Sequence, residues 1–273
     1  METTLTDKAV ILARGLGTRM RRPGAATLDP QQAAAADTGV KAMIPVGRPF
    51  LDYVLSALAD AGVRRACLIV GPEHGAIRDY YTRQVTPRRL TIDFAVQPEP
   101  CGTADAVAAA EAFAGGDGFL VVNSDNYYPV EALRALCQQS GAAAALFDWQ
   151  SLLEGGNIPE ERLRRFAVAR IDDRGFLRGL IEKPDEATWA SLPRPLWISM
   201  NCWRFTAAVF AACRAIGPSP RGELELPVAV HHAINVLGQP FRALLIRAPV
   251  LDLTSRDDIA AVAARLAGKE VSL

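Results

Sequence analysis

The sequence predicts an α/β protein built on a doubly wound, mostly parallel sheet. Short apolar runs typical of buried strands alternate with segments in which apolar residues recur at helical spacing. Residues 119–122 are continuously apolar, as in strands that are covered on both faces. Strands separated by helices favour right-handed parallel crossovers, which place ligands beyond the carboxyl ends of the strands.

The elements can be assigned in order along the chain. The predicted strands span residues 9–13, 66–70, 90–96, 119–122, 166–171, 176–181, 198–205 and 241–246. The predicted helices span residues 31–36, 50–61, 103–113, 206–215, 224–237 and 256–266. The strand–turn–strand pattern around Gly175 indicates a smaller β subregion in the second half. We therefore expect one domain over residues 1–273, with a first half at 8–147 and a second half at 148–273.

The composition excludes several function classes. Thirty basic residues balance thirty acidic ones, so a global positive field for nucleic acid is absent. No apolar run reaches 18 residues, and residues 1–8 are polar, so neither a membrane span nor a signal peptide is expected. The five cysteines show no metal-ligand or CxxC spacing. Reduced thiols and a cytoplasmic location are the simplest interpretation.

A glycine-containing loop follows the first strand. Residues 10–20 read VILARGLGTRM, so an apolar run breaks into a loop that carries Gly15, Gly17, Thr18 and Arg19. Glycines let the backbone approach a ligand closely, and N–H groups followed by an arginine suit a polyphosphate. The alternative interpretation of this stretch is a simple tight turn.

Two aspartates end apolar stretches far apart in the sequence. Asp125 follows the predicted fourth strand, and Asp252 ends the apolar stretch that precedes the last helix. Carboxylates at the carboxyl ends of strands, facing a phosphate loop, are suitable Mg²⁺ ligands. The alternative for Asp125 is a cap of a helix beginning near Pro129, and for Asp252 a turn or cap residue.

Further polar residues lie where strands end. Gln97 offers a donor and an acceptor for the edge of a base, and Gly102 permits a flat ring against the backbone, although an ordinary loop would also fit. Lys183 could hold a phosphate and Glu182 sugar hydroxyls, although such a pair is usually a solvated surface pair. Asn201 lies in a mostly apolar strand and needs polar partners.

The order of these residues resembles that of the sugar-1-phosphate nucleotidylyltransferases, in particular the glucose-1-phosphate thymidylyltransferases and the uridylyltransferases. The resemblance covers approximately residues 8–266. Each motif alone is weak, and their order makes the resemblance specific. The motifs are Gly15-x-Gly17-Thr18-Arg19-Met20, Lys41 with Ile44-Pro45-Val46, Gln97 with Gly102-Thr103-Ala104, Asn123-x-Asp125, Glu182-Lys183-Pro184, Asn201, Gly222-Glu223 and Asp252.

The resemblance implies a Mg²⁺-dependent exchange on a nucleotidyltransferase fold of the glycosyltransferase-A-like type. An oxygen of a sugar 1-phosphate would attack the α-phosphorus of a nucleoside triphosphate in line, and pyrophosphate would leave without a covalent enzyme intermediate. Catalysis would then consist of positioning and charge neutralisation. The implied partners are the NTP and the sugar 1-phosphate, without nucleic acid or membrane. Relatives of this kind often form dimers or tetramers, so a homo-oligomer is also open.

The resemblance assigns roles position by position. Arg19 would act on the departing phosphates, Lys41 on the α-phosphate or pyrophosphate, and Lys183 on the sugar phosphate, as the catalytic cations. Glu182 and Asn201 would bind sugar hydroxyls. Asp125 and Asp252 would bind Mg²⁺. The implied nucleotide-binding residues are Ala13, Gly15, Gly17, Thr18, Gln97, Gly102 and Thr103.

Two departures from the family pattern stand out. Arg14 occupies a position where the family usually has a small residue, so it adds a phosphate contact or points away. The interval between Arg19 and Lys41 is longer than in the family, which predicts a mobile, lid-like insertion at residues 21–39. The chain ends near Leu273, and we therefore expect no hexapeptide-repeat domain.

Two other functions account for parts of the sequence. A nicotinamide dehydrogenase is disfavoured because Met20 stands where a third glycine is needed and no acidic residue follows a second strand at the right distance. A non-catalytic nucleotide- or sugar-phosphate-binding regulator on the same fold remains the alternative. The spacing of Gln97 and Gly102 favours UTP or dTTP, while guanylyl, cytidylyl and adenylyl transfer stay open.

Overall fold

The computed structural model describes residues 6–273, so most of the polar stretch at residues 1–8 lies outside the described residues. Within this range the chain forms eleven strands and thirteen helices, with a 3-10 turn at Lys41–Met43 and a π-helical turn at Tyr80–Gln84. The strands are β1 (Lys8–Leu12), β2 (Arg65–Val70), β3 (Thr91–Val96), β4 (Phe119–Asn123), β5 (Asn126–Tyr127), β6 (Ala143–Asp148), β7 (Ala167–Ile171), β8 (Leu177–Ile181), β9 (Trp197–Phe205), β10 (Arg242–Ile246) and β11 (Leu251–Asp252).

The helices connect these strands and cover both faces of the sheet. None of the helices within residues 6–273 combines the length and the apolar composition needed to span a bilayer. The helices are α1 (Thr18–Arg21), α2 (Pro30–Thr38), α3 (Phe50–Ala61), α4 (Gly75–Asp79), α5 (Thr103–Ala108), α6 (Glu111–Ala114), α7 (Val130–Cys137), α8 (Trp149–Gly155), α9 (Glu160–Leu163), α10 (Glu186–Ser191), α11 (Val209–Ala215), α12 (Leu226–Asn235) and α13 (Asp258–Leu266).

One mixed sheet organises the fold. Seven strands lie side by side in the order β10-β6-β9-β4-β1-β2-β3, and the β7–β8 hairpin joins through β9. Along this path only β9 runs against the others, because its pairs with β4 and β6 are antiparallel whereas β1–β2, β1–β4, β2–β3 and β10–β6 are parallel. The predicted α/β class with a mostly parallel sheet is thereby confirmed.

The central strand explains why apolar runs become strands here. Val10 and Ile11 of β1 are both fully buried, and they belong to hydrophobic clusters on opposite faces of the sheet. Ile11 lies in register with Leu68 on one side and Val122 on the other. Because successive side chains of a strand point to opposite faces, both faces must be covered by helices, and the apolar run is continuous.

Several short elements were not predicted, among them β5, β11, α4, α8, α9 and α10, and two further differences have a clear physical reason. The strand β6 was missed because its alanine-rich sequence AAALFD has little intrinsic strand preference, and tertiary burial outweighs that preference. The helix predicted over residues 103–113 is divided into α5 and α6. Its hydrogen bonds tighten where Ala110 N–H donates to Val107 O (3.0 Å), a three-residue spacing that separates the two helices.

The insertion at residues 21–39 is partly helical, as predicted. Asp29 and Gln32 form a reciprocal capping box that begins α2. Asp257 accepts a hydrogen bond from Ala26 N–H (2.9 Å), and Arg256 bonds Asp37 as well as Met20 O. The insertion is therefore tied to the segment that follows β11.

Candidate active site

A cleft with three joined compartments lies beyond the carboxyl ends of β1, β3 and β4. The first compartment has a volume of about 620 Å³ and extends from the loop after β1 to the loop after β3. The second, of about 750 Å³, includes Asp125 and Asp252, and the third, of about 200 Å³, includes Glu182. Asn201 lines all three, so the compartments form one continuous cleft.

The structure brings every predicted site residue to this cleft. The first compartment is lined by Ala13, Gly15, Gly17, Thr18, Arg19, Lys41, Gln97, Gly102, Thr103, Asp125 and Asn201. The second shares Arg19, Asp125 and Asn201 with the first and adds Lys183 and Asp252. The third contains Glu182, Asn201 and Thr103. Residues from both halves of the sequence therefore face the same space.

A short two-stranded ribbon brings the two aspartates together. β5 pairs antiparallel with β11, and Asp252 lies opposite Asn126. Leu253 N–H also donates to Asp125 O (2.8 Å), which fixes the backbone beside both carboxylates. This ribbon explains how residues 127 positions apart in sequence reach one site.

Asp252 is buried, and its surroundings hold it firmly. Its Oδ2 accepts from Asn126 Nδ2 (3.0 Å), and its backbone N–H and C=O both bond the Asn157 amide (2.8 Å each). Its Oδ1 is buried and accepts no hydrogen bond from the described residues, although Arg162 Nη2 lies 3.4 Å away. Burial, followed by the negative charge of Asp125, raises the pKa of Asp252.

This carboxylate pair fits a magnesium ion. Three carboxylates, those of Asp125, Asp252 and Asp258, share the two cations Lys41 and Arg162, so negative charge is in excess and a further cation is favoured. Within residues 6–273 no group of three or more His, Cys, Asp or Glu side chains is placed to hold a metal. Mg²⁺ typically uses one or two carboxylates and takes its remaining ligands from substrate phosphates and water.

Lys41 pairs directly with one of the carboxylates. Its Nζ donates to Asp125 Oδ2 at 2.7 Å, and both side chains are mostly buried. The 3-10 turn that carries Lys41 also buries Ala42, so the lysine is directed into the cleft. Asp125 does not cap α7, because Pro129 occupies that position without a side-chain hydrogen bond. The capping alternative is therefore wrong.

The loop after β1 has a fixed course that glycine makes possible. Gly17 has a φ of 60°, in the left-handed region, and directly precedes α1. A Cβ at Gly17 would lie 1.9 Å from Gly39 O, so the loop and the end of the insertion are in close backbone contact. Arg19 is exposed to the cleft and forms no ion pair with a described residue. Its guanidinium is available for a ligand.

The Arg14 side chain turns toward the segment after β3. Its Nε donates to Gln97 O (2.7 Å) and its Nη2 to Pro98 O (2.9 Å), so it anchors the segment after β3. Gln97 in turn donates through Nε2 to Gly102 O (2.9 Å) and to Asp105 Oδ2 (2.7 Å). The amide was expected to offer a ligand both a donor and an acceptor, and its donors are in fact used within the protein.

The opposite wall of the cleft carries unusual backbone. Lys183 (φ 43°) and Asn201 (φ 55°) are the non-glycine residues with positive φ within residues 6–273. Such strain clusters at functional sites, where the surroundings enforce it. Lys183 forms no ion pair among the described side chains. Desolvation by neighbouring protein atoms, followed by the negative charge of Glu225, raises the pKa of Glu182. The Glu182 side chain lines the third compartment.

Sequence reasoning missed three arginines. Arg221 lines all three compartments and pairs with Glu225 (3.0 Å). Arg162 and Arg165 line the second, and Arg162 holds Asp258 through two 2.9 Å bonds. Adjacent Gly222-Glu223 was a signal for Arg221. No pattern in the sequence distinguished Arg162 and Arg165 from solvated surface arginines.

The raised pKa of Asp252 predicts how the stability of the protein depends on pH. A carboxyl whose pKa is raised by folding stabilises the protein when it is protonated, and this contribution is lost as the pH rises through the raised pKa. Without divalent cations, Asp252→Asn should therefore raise the thermal unfolding temperature at neutral pH. The gain should shrink as the pH falls through the raised pKa toward 3.8, the ordinary value.

The control for this prediction is Asp258→Asn. Asp258 accepts hydrogen bonds from Arg162, Thr254 and Ser255, so the same change there should lower the unfolding temperature. Added Mg²⁺ should stabilise the wild type more than Asp252→Asn. An Asp252→Asn protein that unfolds below the wild type at neutral pH would contradict the assignment of a buried charge whose cost exceeds the gain from its ion pair with Arg162.

Comparison with known proteins identifies the family of this chain. Residues 8–239 match the family model described as nucleotidyl transferase. The chain is 32% identical over 240 residues to a glucose-1-phosphate thymidylyltransferase of Streptomyces antibioticus, covering 84% of this chain and 57% of that protein. It is 28% identical over 252 residues to the UTP–glucose-1-phosphate uridylyltransferase AglF of Haloferax volcanii, covering 92% and 93%.

A solved structure has the same fold. The UTP-bound UGPase from Acinetobacter baumannii superposes with a TM-score of 0.75 over 97% of this chain and 95% of that one, at 17% sequence identity. The chain spans little more than half the length of the Streptomyces relative and nearly the whole length of the Haloferax one. The resemblance drawn from the motifs is confirmed, and the chain belongs to the nucleotidyl transferase family.

Proposed function

We propose that this protein transfers a nucleotidyl group from an NTP to a sugar 1-phosphate and releases pyrophosphate. The observation that carries the proposal is the paired carboxylates Asp125 and Asp252 in one continuous cleft. On one side lie the glycine loop and Arg19, and on the other side lies Lys183. The thymidylyltransferase and uridylyltransferase named above act on substrates of this class, which supports the proposal.

The reaction needs two anions to approach each other. An oxygen of the sugar 1-phosphate forms a bond to the α-phosphorus, and the bond from that phosphorus to the bridging oxygen of pyrophosphate breaks. The chain supplies cations along this line, and we assign Lys183 to the sugar phosphate, Lys41 to the α-phosphate and Arg19 to the leaving group. Such preorganised charge lowers the barrier because it stabilises the transition state without reorganisation.

The carboxylates complete the site. Asp125 and Asp252 would hold Mg²⁺, which when bound supplies further positive charge against the phosphate oxygens. Asn126 and Asn157 keep Asp252 in place through three hydrogen bonds, so the residue is positioned before a ligand binds. Lys41 holds Asp125 in the same way.

The remaining assignments concern the choice of nucleotide, the residues that contact the sugar, and the location in the cell. UTP or dTTP is our first choice of nucleotide, and Glu182 and Asn201 are assigned to sugar hydroxyls. The partners in this proposal are the NTP and the sugar 1-phosphate. All five cysteines are free thiols, which supports a reducing location such as the cytoplasm.

A pyrophosphate-release assay tests this function. The protein is incubated with Mg²⁺, five nucleoside triphosphates and a panel of sugar 1-phosphates, and each combination is also run with excess chelator. We expect release only when NTP, sugar 1-phosphate and Mg²⁺ are all present. Tight nucleotide binding without turnover across the panel would instead favour a regulator on the same fold.

A further inference from the structure

The orientation of one buried amide carries information about the nucleotide. Gln97 is only 3% exposed, and its Nε2 donates both protons, to Gly102 O and to Asp105 Oδ2. A carbonyl and a carboxylate can only accept hydrogen bonds. The nitrogen of the amide must therefore face these two groups, and a rotation by 180° would place oxygen against oxygen.

The same contacts leave a single type of atom for a ligand. With both donors used, Gln97 presents only Oε1, an acceptor, while it lines the first compartment together with Gly102. The backbone under the amide is fixed as well, because Arg14 donates to Gln97 O and Pro98 O and is itself only 8% exposed. The site is thus prepared for a group that donates a hydrogen bond.

Of the two groups that accept a hydrogen bond from Gln97 Nε2, Gly102 O is a backbone carbonyl and Asp105 Oδ2 belongs to a side chain. Gly102 O belongs to a segment held by backbone bonds, since Leu224 N–H donates to Cys101 O (2.7 Å) and Ala104 N–H donates to Leu224 O (2.8 Å). Asp105 lies in the first turn of α5, and its charged oxygen makes the shorter bond to Gln97. Charge-assisted bonds are about twice as strong as neutral ones.

We propose that Asp105 is a positioning residue that fixes the Gln97 amide with its oxygen toward the base. The cleft then selects bases that present a ring N–H, as uracil, thymine and guanine do. It rejects cytosine and adenine, whose bare ring nitrogen at that edge would face another acceptor and leave both unpaired. The inference rests on the proposed function only in treating the first compartment as the nucleotide site.

The test is equilibrium binding, which does not depend on turnover. Isothermal titration calorimetry with UTP, dTTP, GTP, CTP and ATP, in the presence of Mg²⁺, gives the selectivity of the wild type and of two variants. We expect UTP or dTTP to bind at least about tenfold more tightly than CTP to the wild type. Asp105→Ala should reduce that ratio severalfold, because the amide can then turn.

Asp105→Asn is the matched control. Its side-chain oxygen can accept the same proton from Gln97 Nε2, so the wild-type ratio should return. A merely structural role of Asp105 would lower the thermal unfolding temperature, measured in parallel, without changing the ratio. Rescue by asparagine distinguishes orientation of the amide from a general effect of the negative charge.

Three results of these titrations would overturn the inference. The inference is overturned if the wild type binds CTP or ATP as tightly as UTP, which is measurable even if Asp105→Ala does not fold. It is also overturned if Asp105→Ala keeps the wild-type ratio, or if no nucleotide binds. Selective binding of the expected kind without pyrophosphate release would leave this inference standing and remove the proposed function.

Discussion

Replacing Asp125 by asparagine should lower turnover by about 10²- to 10³-fold, the effect of losing one preorganised electrostatic partner. Asparagine keeps the size of the side chain, and the bond from Leu253 N–H to Asp125 O involves only the backbone. The ion pair with Lys41 and the charge available to Mg²⁺ are both lost. The measurement is steady-state pyrophosphate release, with circular dichroism to verify the fold.

The matched control is Asp60→Asn. Asp60 also pairs with a cation at 2.7 Å, through Arg89 Nη2, but it lies on the surface outside the cleft. This change should leave turnover within about twofold, since exposed ion pairs contribute little. Near-full activity of Asp125→Asn would exclude Asp125 from the proposed metal site.

Gly17→Ala should be the most destabilising small substitution in the loop after β1. The new Cβ would lie 1.9 Å from Gly39 O and would have to tolerate a positive φ. The new Cβ is fixed to the backbone of Gly17 and would clash with a backbone oxygen. The clash can therefore be relieved only by moving the loop or the insertion, at a cost of roughly 3 kcal/mol in the free energy of unfolding. Urea denaturation of the two proteins measures this difference.

Gly15→Ala provides the comparison within the same loop. A Cβ there meets no atom within 4 Å, so the free energy of unfolding should change by less than about 1 kcal/mol. If both variants unfold at the same urea concentration, the close contact between Gly17 and Gly39 does not exist in solution. Catalytic effects of Gly15→Ala are separate, because its backbone lines the cleft.

The strands and the site residues differ in how far the sequence could predict them. Apolar runs such as the one containing Val10 are readable because burial on both faces requires them. The alanine-rich strand β6 cannot be recognised in this way, since alanine favours helices over strands. Position at the carboxyl end of a strand, together with the Asn123-x-Asp125 motif, was enough to select Asp125.

Contacts between distant side chains were beyond sequence reasoning. The pairing of Arg162 with Asp258, and the anchoring of Gln97 by Arg14, depend on which loops meet in three dimensions. The orientation of the Gln97 amide depends further on Asp105. In the sequence, an acidic residue in the first turn of a helix is common and gives no sign of a functional role. Such details are set by the fold as a whole.

The reversed strand β9 has a consequence for how the chain is made. It separates β4 from β6 in the sheet, although both of those strands are synthesised before it. A growing chain that has reached only residue 150 therefore exposes an apolar edge of β4, where Phe119 and Val121 later face Phe205 and Trp203. The first half of the chain must wait for its partner strand, and during that interval the open edge of β4 favours aggregation.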